Sequence, residues 1–405
     1  MMTHGFDTER MDLCPFMPTY GAPALSMERG RGTEVCHTDG KRYLDFLTGI
    51  AVCSLGHANP VVADAICRQA STLVHVSNFF TNPPATAAAV KINELLLDAT
   101  GRAGQIFFTN SGAESNECAI KLARKFGGRG RHTIVSLYGS FHGRTMGSLA
   151  ATGQPGKQEA FVPMLEGFKH VPLGDIDAMR AALDGSVAAV MIEAIQGEGG
   201  VQPCDPEYLR AVRALCDERG ILLVLDEVQV GFARTGTWFG FEHAGIVPDV
   251  VTMAKAIGNG MPIGACWARK DVAAVFEPGD HGSTYGGTPL ATAAVSAVID
   301  EMRRIDAPRL ATEHGAKLTD ALLALPEIRS VRGAGLILGA AVADGIDAKA
   351  VYQAALDRGL IVNAVSADTI RLLPPLTVSD AEIDEAIAIL ADALGAVTAT
   401  SGAAS

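Results

Sequence analysis

From about residue 58 to residue 290, short unbroken apolar runs alternate with stretches whose apolar residues recur at helical spacing. Few folds accept that pattern. A strand buried on both faces reads as a continuous apolar run, and such strands alternating with helices predict a mainly parallel sheet covered on both sides. The expected strands are 105–109 (QIFFT), 133–137, 187–192, 221–225, 249–253 and 264–268. One intervening helix is fully punctuated. Asp205 is placed to cap it, Pro206 fits its first turn, Leu209, Val212, Leu215 and Cys216 form its inner stripe, and Gly220 ends it. A second is expected after Pro60, with Val62, Ala65, Ile66, Gln69, Ala70 and Leu73 at helical spacing. A third follows Ser111-Gly112-Ala113, with Ala119, Leu122, Ala123 and Phe126 on one face.

After about residue 300 the pattern changes. Helical stretches flank short strands near 336–342 and 369–373, which predicts a smaller α+β unit. The first fifty residues, with strand-like segments 34–37 and 43–46, are expected to pack with it. The expected organisation is therefore an N-terminal segment 1–57, a large domain 58–295 and a small domain 296–405. The tail TATSGAAS is expected to be disordered.

Composition narrows what such a chain does. With 48% apolar and 19% charged residues it has the profile of a packed globular protein, and 44 glycines point to tight turns and close backbone approach to a ligand. The net charge of −12 and the lack of any Lys/Arg block argue against nucleic acid as a partner. No run approaches the ~18 apolar residues of a membrane span, and the N-terminus lacks a basic-then-apolar signal pattern. The eight cysteines are scattered without a Cys-x-x-Cys pair, as expected of free thiols in a reducing compartment, and no metal cluster is visible. A cytoplasmic location is expected.

In an open parallel sheet, ligands collect at the carboxyl ends of the strands, and three of the expected strands end in chemically loaded residues. The run 221–225 leads into Asp226-Glu227-Val228-Gln229. Asp226 has three readings: the metal-binding acid of a P-loop nucleotidase, a partner for a protonated pyridine nitrogen, or an ordinary turn acid. The first requires a G-x-x-x-x-G-K-[ST] loop, which the chain lacks. The run 249–253 leads into Ala254-Lys255 and a glycine-bordered loop, where Lys255 is either a surface side chain or an amine that desolvation makes nucleophilic. The run 105–109 leads into Ser111-Gly112-Ala113 and a helix, whose first amides are able to bind phosphate. Phe141 adds an aromatic plane. A phosphate cradle, an aromatic ring, an acid and an imine-forming amine together match the needs of pyridoxal 5'-phosphate.

These segments also carry a resemblance. TGIAVCSLGH, SNFFTN, TNSGAESNECAIKLAR, FHGRT, IQGEGGV, LDEVQVGFARTG, AKAIGNGMPIGA, HGSTYGGTPLA and IRLLPPL occur in order, from about Tyr20 to Leu394. The sequence resembles the class III (ω-amino acid) aminotransferases, and within them the acetylornithine/succinylornithine branch. The resemblance implies a fold-type I pyridoxal-phosphate-dependent transferase, and it implies residue roles. Lys255 would form the Schiff base and shuttle the proton. Asp226 would pair with the pyridinium nitrogen, Gln229 would lie near the ring hydroxyl, Phe141 would stack on the ring, and Gly112 and Ala113 would hold the phosphate. Thr284 would reach the phosphate of a neighbouring subunit, which implies a homodimer with shared sites. Arg144 would clamp a substrate carboxylate, and Arg371 would bind the α-carboxylate of glutamate or 2-oxoglutarate. Glu198 would neutralise Arg371 when that carboxylate is absent, and Ser283 and Tyr20 would line the substrate pocket.

The implied reaction moves the δ-amino group of N2-acetyl-L-ornithine to 2-oxoglutarate, a step of arginine biosynthesis. Succinylornithine, N-succinyl-diaminopimelate, ornithine and GABA remain rival donors. Ala194 stands where the family has proline and Thr288 where it has asparagine, which bears on loop geometry rather than on chemistry.

Overall fold

The computed structural model describes residues 17, 19–20 and 25–402. At its centre lies a seven-stranded sheet in the order Gly104–Thr109, Gly264–Arg269, Val250–Met253, Leu222–Asp226, Val187–Ile192, Thr133–Leu137, Phe168–Val171. Gly264–Arg269 runs antiparallel to both its neighbours, and the other pairings are parallel. With a single reversed strand, the chain leaves Thr109, Ile192, Asp226 and Met253 at one edge of the sheet, and that edge holds the site.

All six apolar runs are strands. Three begin and two end a residue away from expectation, and Asp226 is the last residue of its strand rather than the first beyond it. The edge strand Phe168–Val171 (FKHV) was not anticipated. Paired on one side only and half-covered, it has no need of an apolar run.

The Pro206–Arg219 helix follows its signals throughout. The Asp205 side chain accepts from the amides of Glu207 and Tyr208, the four stripe residues are buried, and Gly220 takes a left-handed φ of 60° that only glycine adopts freely. The Pro60–Ala70 helix departs from its expected stripe. Only Val62 is buried, and Leu73 lies beyond the helix and exposed. Val61, Val74, Phe79 and Phe80 are exposed as well, so this segment covers little core within one chain.

The C-terminal region forms an antiparallel sheet in the order Ile328–Ala334, Ile337–Val342, Thr369–Leu372, Asn363–Ser366. The N-terminal strands Met27–Arg31, Glu34–His37 and Arg42–Asp45 are completed by Leu360–Ile361 from that region. Arg42 pairs with Glu385 at 2.6 Å, and the Thr48 hydroxyl donates to the Leu373 carbonyl. Arg234 joins these parts from the interior. Its buried guanidinium donates to the carbonyls of Leu336 and Pro374 and to the Ser54 hydroxyl, and burial lowers its pKa to about 9.

The expectation of a disordered tail is corrected: the last helix, Asp380–Gly402, runs four residues and more into TATSGAAS. Val397, just before it, packs against the core, and the Thr398 hydroxyl donates to the Gly395 carbonyl, so the helix continues into the tail. Residues 403–405 and Cys14 lie outside the described residues. The other seven cysteines are free thiols. Among the described residues no helix is long and apolar enough to cross a membrane, and no group of three His, Cys, Asp or Glu is placed to hold a metal.

Candidate active site

A cavity of about 370 Å³ opens at the carboxyl edge of the large sheet, lined by Gly112, Ala113, Phe141, Arg144, Asp226, Gln229 and Lys255 among others. Residues from six separate stretches of sequence thus meet in one space.

Asp226 is 3% exposed. Its Oδ2 accepts from Asn116 Nδ2 and His142 Nδ1, both at 2.8 Å, and its Oδ1 accepts from the Val228 amide. Burial disfavours a charged His142, but the hydrogen bond and charge of Asp226 outweigh it and raise the imidazole pKa. Three donors therefore hold the carboxylate in one orientation.

Lys255 follows the next strand in the sheet, whose Thr252 is in register with Asp226. Its φ of +50° is a left-handed conformation that costs a non-glycine residue about 1–3 kcal/mol. Asn259 braces the loop, accepting from the Leu55 amide and donating to the Gly56 carbonyl. Desolvation lowers the Lys255 pKa; the charge of Glu198 opposes that shift and Arg371 adds to it. Among the described residues the amine has no hydrogen-bond or ion-pair partner, and desolvation favours its neutral, nucleophilic form.

Across the cavity the Gly112–Gly127 helix starts with Ser111, whose hydroxyl accepts from the Glu114 amide. The amides of Gly112 and Ala113, at the positive end of that helix, have no carbonyl four residues back within the helix to serve. A Cβ on Gly112 would stand 2.7 Å from a Val228 methyl, so glycine lets the helix start approach the Asp226 loop.

Arg371 lies one side chain further back and is 1% exposed. Its Nη1 donates to Glu198 Oε1 at 2.5 Å and to Gln229 Oε1 at 3.1 Å, and its Nη2 donates to Asn363 Oδ1 at 2.9 Å. Burial would raise the Glu198 pKa, yet Arg371 pulls it below the usual carboxylate range. Arg144 is exposed, with its guanidinium over the Phe141 ring at 5.6 Å.

Matched against the family models, residues 17–394 correspond to aminotransferase class-III. The acetylornithine aminotransferase of Caldanaerobacter subterraneus subsp. tengcongensis is 46% identical over 94% of this chain and 97% of its own length. That of Gloeobacter violaceus is 48% identical over 92% and 94%. The chain belongs to the class-III aminotransferase family. Among solved structures, ornithine aminotransferase from Toxoplasma gondii superposes with a TM-score of 0.90 at 30% identity, covering 98% of this chain and 96% of that one, and it has pyridoxal phosphate at partial occupancy in its active site. The chain is accordingly a pyridoxal-phosphate-dependent transaminase of fold-type I. Free helix-start amides, a thrice-held carboxylate, a desolvated amine and an aromatic ring in one cavity form a donor set that fits this cofactor.

Not every residue expected at this class-III site is there within one chain. Tyr20 is 89% exposed and outside the cavity. Thr284 is exposed and lines a separate groove with Ser283. Ser283 comes nearer, its hydroxyl accepting from Asn110, which does line the cavity. The two departures are accommodated: Ala194 is buried against Gly240, and the Thr288 hydroxyl donates to the Val74 carbonyl at 2.6 Å.

Sequence reasoning passed over Asn116, His142 and Glu193, though the first two stand inside quoted motifs. Glu193 carried the same signal as Asp226, an acid at the end of a buried strand. Its Oε1 accepts from the Phe141 amide at 2.8 Å and its Oε2 from the Gly197 amide at 3.3 Å, so it joins the ring segment to the Glu198 turn. Burial raises its pKa to about 7. A carboxyl with a raised folded-state pKa contributes stability that is complete below its unfolded value near 4.5 and is lost as pH rises through about 7. In cofactor-free protein, the melting temperature of the wild type should therefore fall relative to that of Glu193→Gln between about pH 5 and pH 8. Parallel melting curves across that range would refute the assignment. Glu227, raised to about 8, is common to both proteins and cancels.

Proposed function

We propose that this transaminase takes the δ-amino group of N2-acetyl-L-ornithine and delivers it to 2-oxoglutarate, giving N-acetyl-L-glutamate 5-semialdehyde and L-glutamate. The observation that carries this reading is the buried Arg371–Glu198 pair beside Lys255. An enzyme that accepts an ω-amine in one half-reaction and a dicarboxylate in the other needs a carboxylate-binding cation that is covered in the first and free in the second. The identity of 44–48% to curated acetylornithine aminotransferases over at least 90% of the chain supports it.

The shared cavity supports a role for each residue. Lys255 Nζ would hold the cofactor carbonyl carbon, and the amides of Gly112 and Ala113 its phosphate, while Phe141 would pack on its ring and Gln229 would approach its hydroxyl. When bound, pyridoxal phosphate supplies an electron sink that acidifies the C–H beside the substrate amine. Asp226 keeps a proton on the ring nitrogen. Lys255, its amine poised by desolvation, accepts the proton from the substrate carbon and returns it. Arg144, free of any carboxylate partner among the described residues, binds the α-carboxylate of the donor. Glu198 shields Arg371 until a dicarboxylate displaces it.

The reading includes a homodimer. Thr284 is exposed outside its own chain's cavity, and Phe79 (92% exposed), Phe80, Val74 and Tyr285 leave apolar surface uncovered beside it. A second copy would cover that surface and bring its Thr284 to the phosphate and its Ser283 to the substrate; Tyr20 would close the donor pocket. We also assign the large domain to 58–295, the small domain to 296–405 with 1–57 packed on it, and the location to the cytoplasm.

Titration of the holoenzyme with N-acetylornithine tests the substrate. The yellow absorption band of the lysine-linked cofactor should bleach at low donor concentration and return with 2-oxoglutarate. A band that ignores N-acetylornithine but bleaches with succinylornithine, ornithine or GABA would overturn the donor and keep the enzyme class.

A further inference from the structure

A second cavity, of about 250 Å³, shares no lining residue with the Lys255 cavity and lies where the Gly112–Gly127 helix meets the sheet. Cys118 from that helix and Cys266 from the reversed strand Gly264–Arg269 line it together, with Phe107, Leu122 and Phe276. The two thiols belong to one packed cluster and are 1% and 3% exposed.

Buried cysteines in apolar walls are ordinarily inert, because desolvation disfavours the thiolate. Cys204 and Cys216 in this chain behave so, both pushed up to about 12 by burial. Cys118 differs because of its neighbours. Cys266, which shares its cavity and its packed cluster, lowers the Cys118 pKa against the effect of burial, while Cys266 itself is raised. His281 also lowers the Cys118 pKa, and its ring packs on Phe107 at 4.8 Å and near Phe276 at 6.2 Å, both cavity walls. The His281 Nδ1 stands 3.1 Å from the Nζ of Lys121, which lies one helical turn beyond Cys118. Two buried thiols of one packed cluster, with a histidine ring against the walls and a lysine beside it, thus surround an open space. Transamination uses none of them.

We propose that Cys118 and Cys266 form a peroxide-reactive dithiol site, with Cys118 as the attacking sulfur and Cys266 as the resolving one. The Cys118 thiolate attacks one oxygen of hydrogen peroxide and the O–O bond breaks, leaving Cys118 sulfenic acid and hydroxide. The Cys266 sulfur then attacks the sulfenic sulfur, the S–O bond breaks, and water leaves as the disulfide forms. In sum, two thiols and one peroxide give one disulfide and two waters. The apolar walls and small volume favour a small neutral oxidant over a charged, bulky disulfide. The bond would tie the helix that starts at the phosphate cradle to the strand beneath it.

The test is peptide mapping of the reduced, full-length holoenzyme after hydrogen peroxide treatment, catalase quench, denaturation and alkylation. The expected result is a linked peptide pair carrying Cys118 and Cys266, two hydrogens lighter than the reduced pair, formed at least about tenfold faster than any oxidation of Cys204 or Cys216. In Cys266→Ser the Cys118 sulfenic acid should persist and be trapped by dimedone, and in Cys118→Ser Cys266 should stay alkylatable. Both cysteines alkylated after treatment, Cys118 over-oxidised without a bridge, or bridges among other cysteines would overturn the proposal. The wild-type map decides the matter even if a serine variant fails to fold.

Discussion

Lys255→Ala is expected to lower turnover by at least ~10⁴-fold, because the residue supplies both the nucleophile that holds the cofactor and the base that moves the proton. The loss should appear in the spectrum before it is sought in kinetics: pyridoxal phosphate added to the variant should give no lysine-linked yellow band. Stability should move the other way. The amine is desolvated and unpaired among the described residues, and its backbone is left-handed at φ +50°. Cofactor-free Lys255→Ala should be at least as stable to denaturant as the wild type, and Lys255→Gly more stable than Lys255→Ala by about 1 kcal/mol, since glycine takes that conformation without strain. A strained, desolvated residue kept at the site is stability given up for chemistry. An alanine variant turning over at the native rate would end this account of the site.

Arg371→Ala should separate the two half-reactions. The KM for 2-oxoglutarate should rise by about 10²–10³, the equivalent of breaking a buried ion pair at roughly 3–5 kcal/mol, whereas the donor half-reaction should change only a few-fold. The variant should also weaken a pH dependence. In the wild type Arg371 holds the Glu198 pKa below its ordinary value, so the pair's stability is present above the unfolded value near 4.5 and lost as pH falls. Without Arg371, burial is opposed only by Lys255 and Gln229, so the Glu198 pKa should rise and the variant should lose less stability than the wild type as pH falls. Stopped-flow half-reactions and melting curves at several pH values read these effects separately. Equal losses in both half-reactions would remove Arg371 from dicarboxylate recognition.

Much of the large domain's architecture was legible because its signals are local. The Pro206–Arg219 helix has its cap, its first-turn proline, its stripe and its terminal glycine within sixteen consecutive residues, Asp205 to Gly220. Five of the six expected strands are apolar because both their faces are covered, whereas Gly104–Thr109, at the edge of the sheet, is only half-covered. Phe168–Val171 and Ile328–Ala334 were not legible, since each is half-covered and mixed in character. The Pro60–Ala70 stripe misled for a related reason: periodicity reports an apolar face and not what covers it. Lys255 and Asp226 were readable from their place after apolar strands, whereas Glu193, with the same signal, was passed over because nothing local says what its carboxylate accepts.

The sequence by itself determined the strand–helix alternation, the mainly parallel sheet and the presence of an amine and an acid at strand ends, because each depends on residues within one or two turns of chain. Only the tertiary structure decided that Asn116, from 110 residues away, and His142, from 84, converge on Asp226. It alone placed Arg371 against Glu198 across 173 residues, and Cys118 with Cys266 around one cavity. Those meetings follow from how the sheet and its covering helices are stacked, and no local period or spacing carries that information.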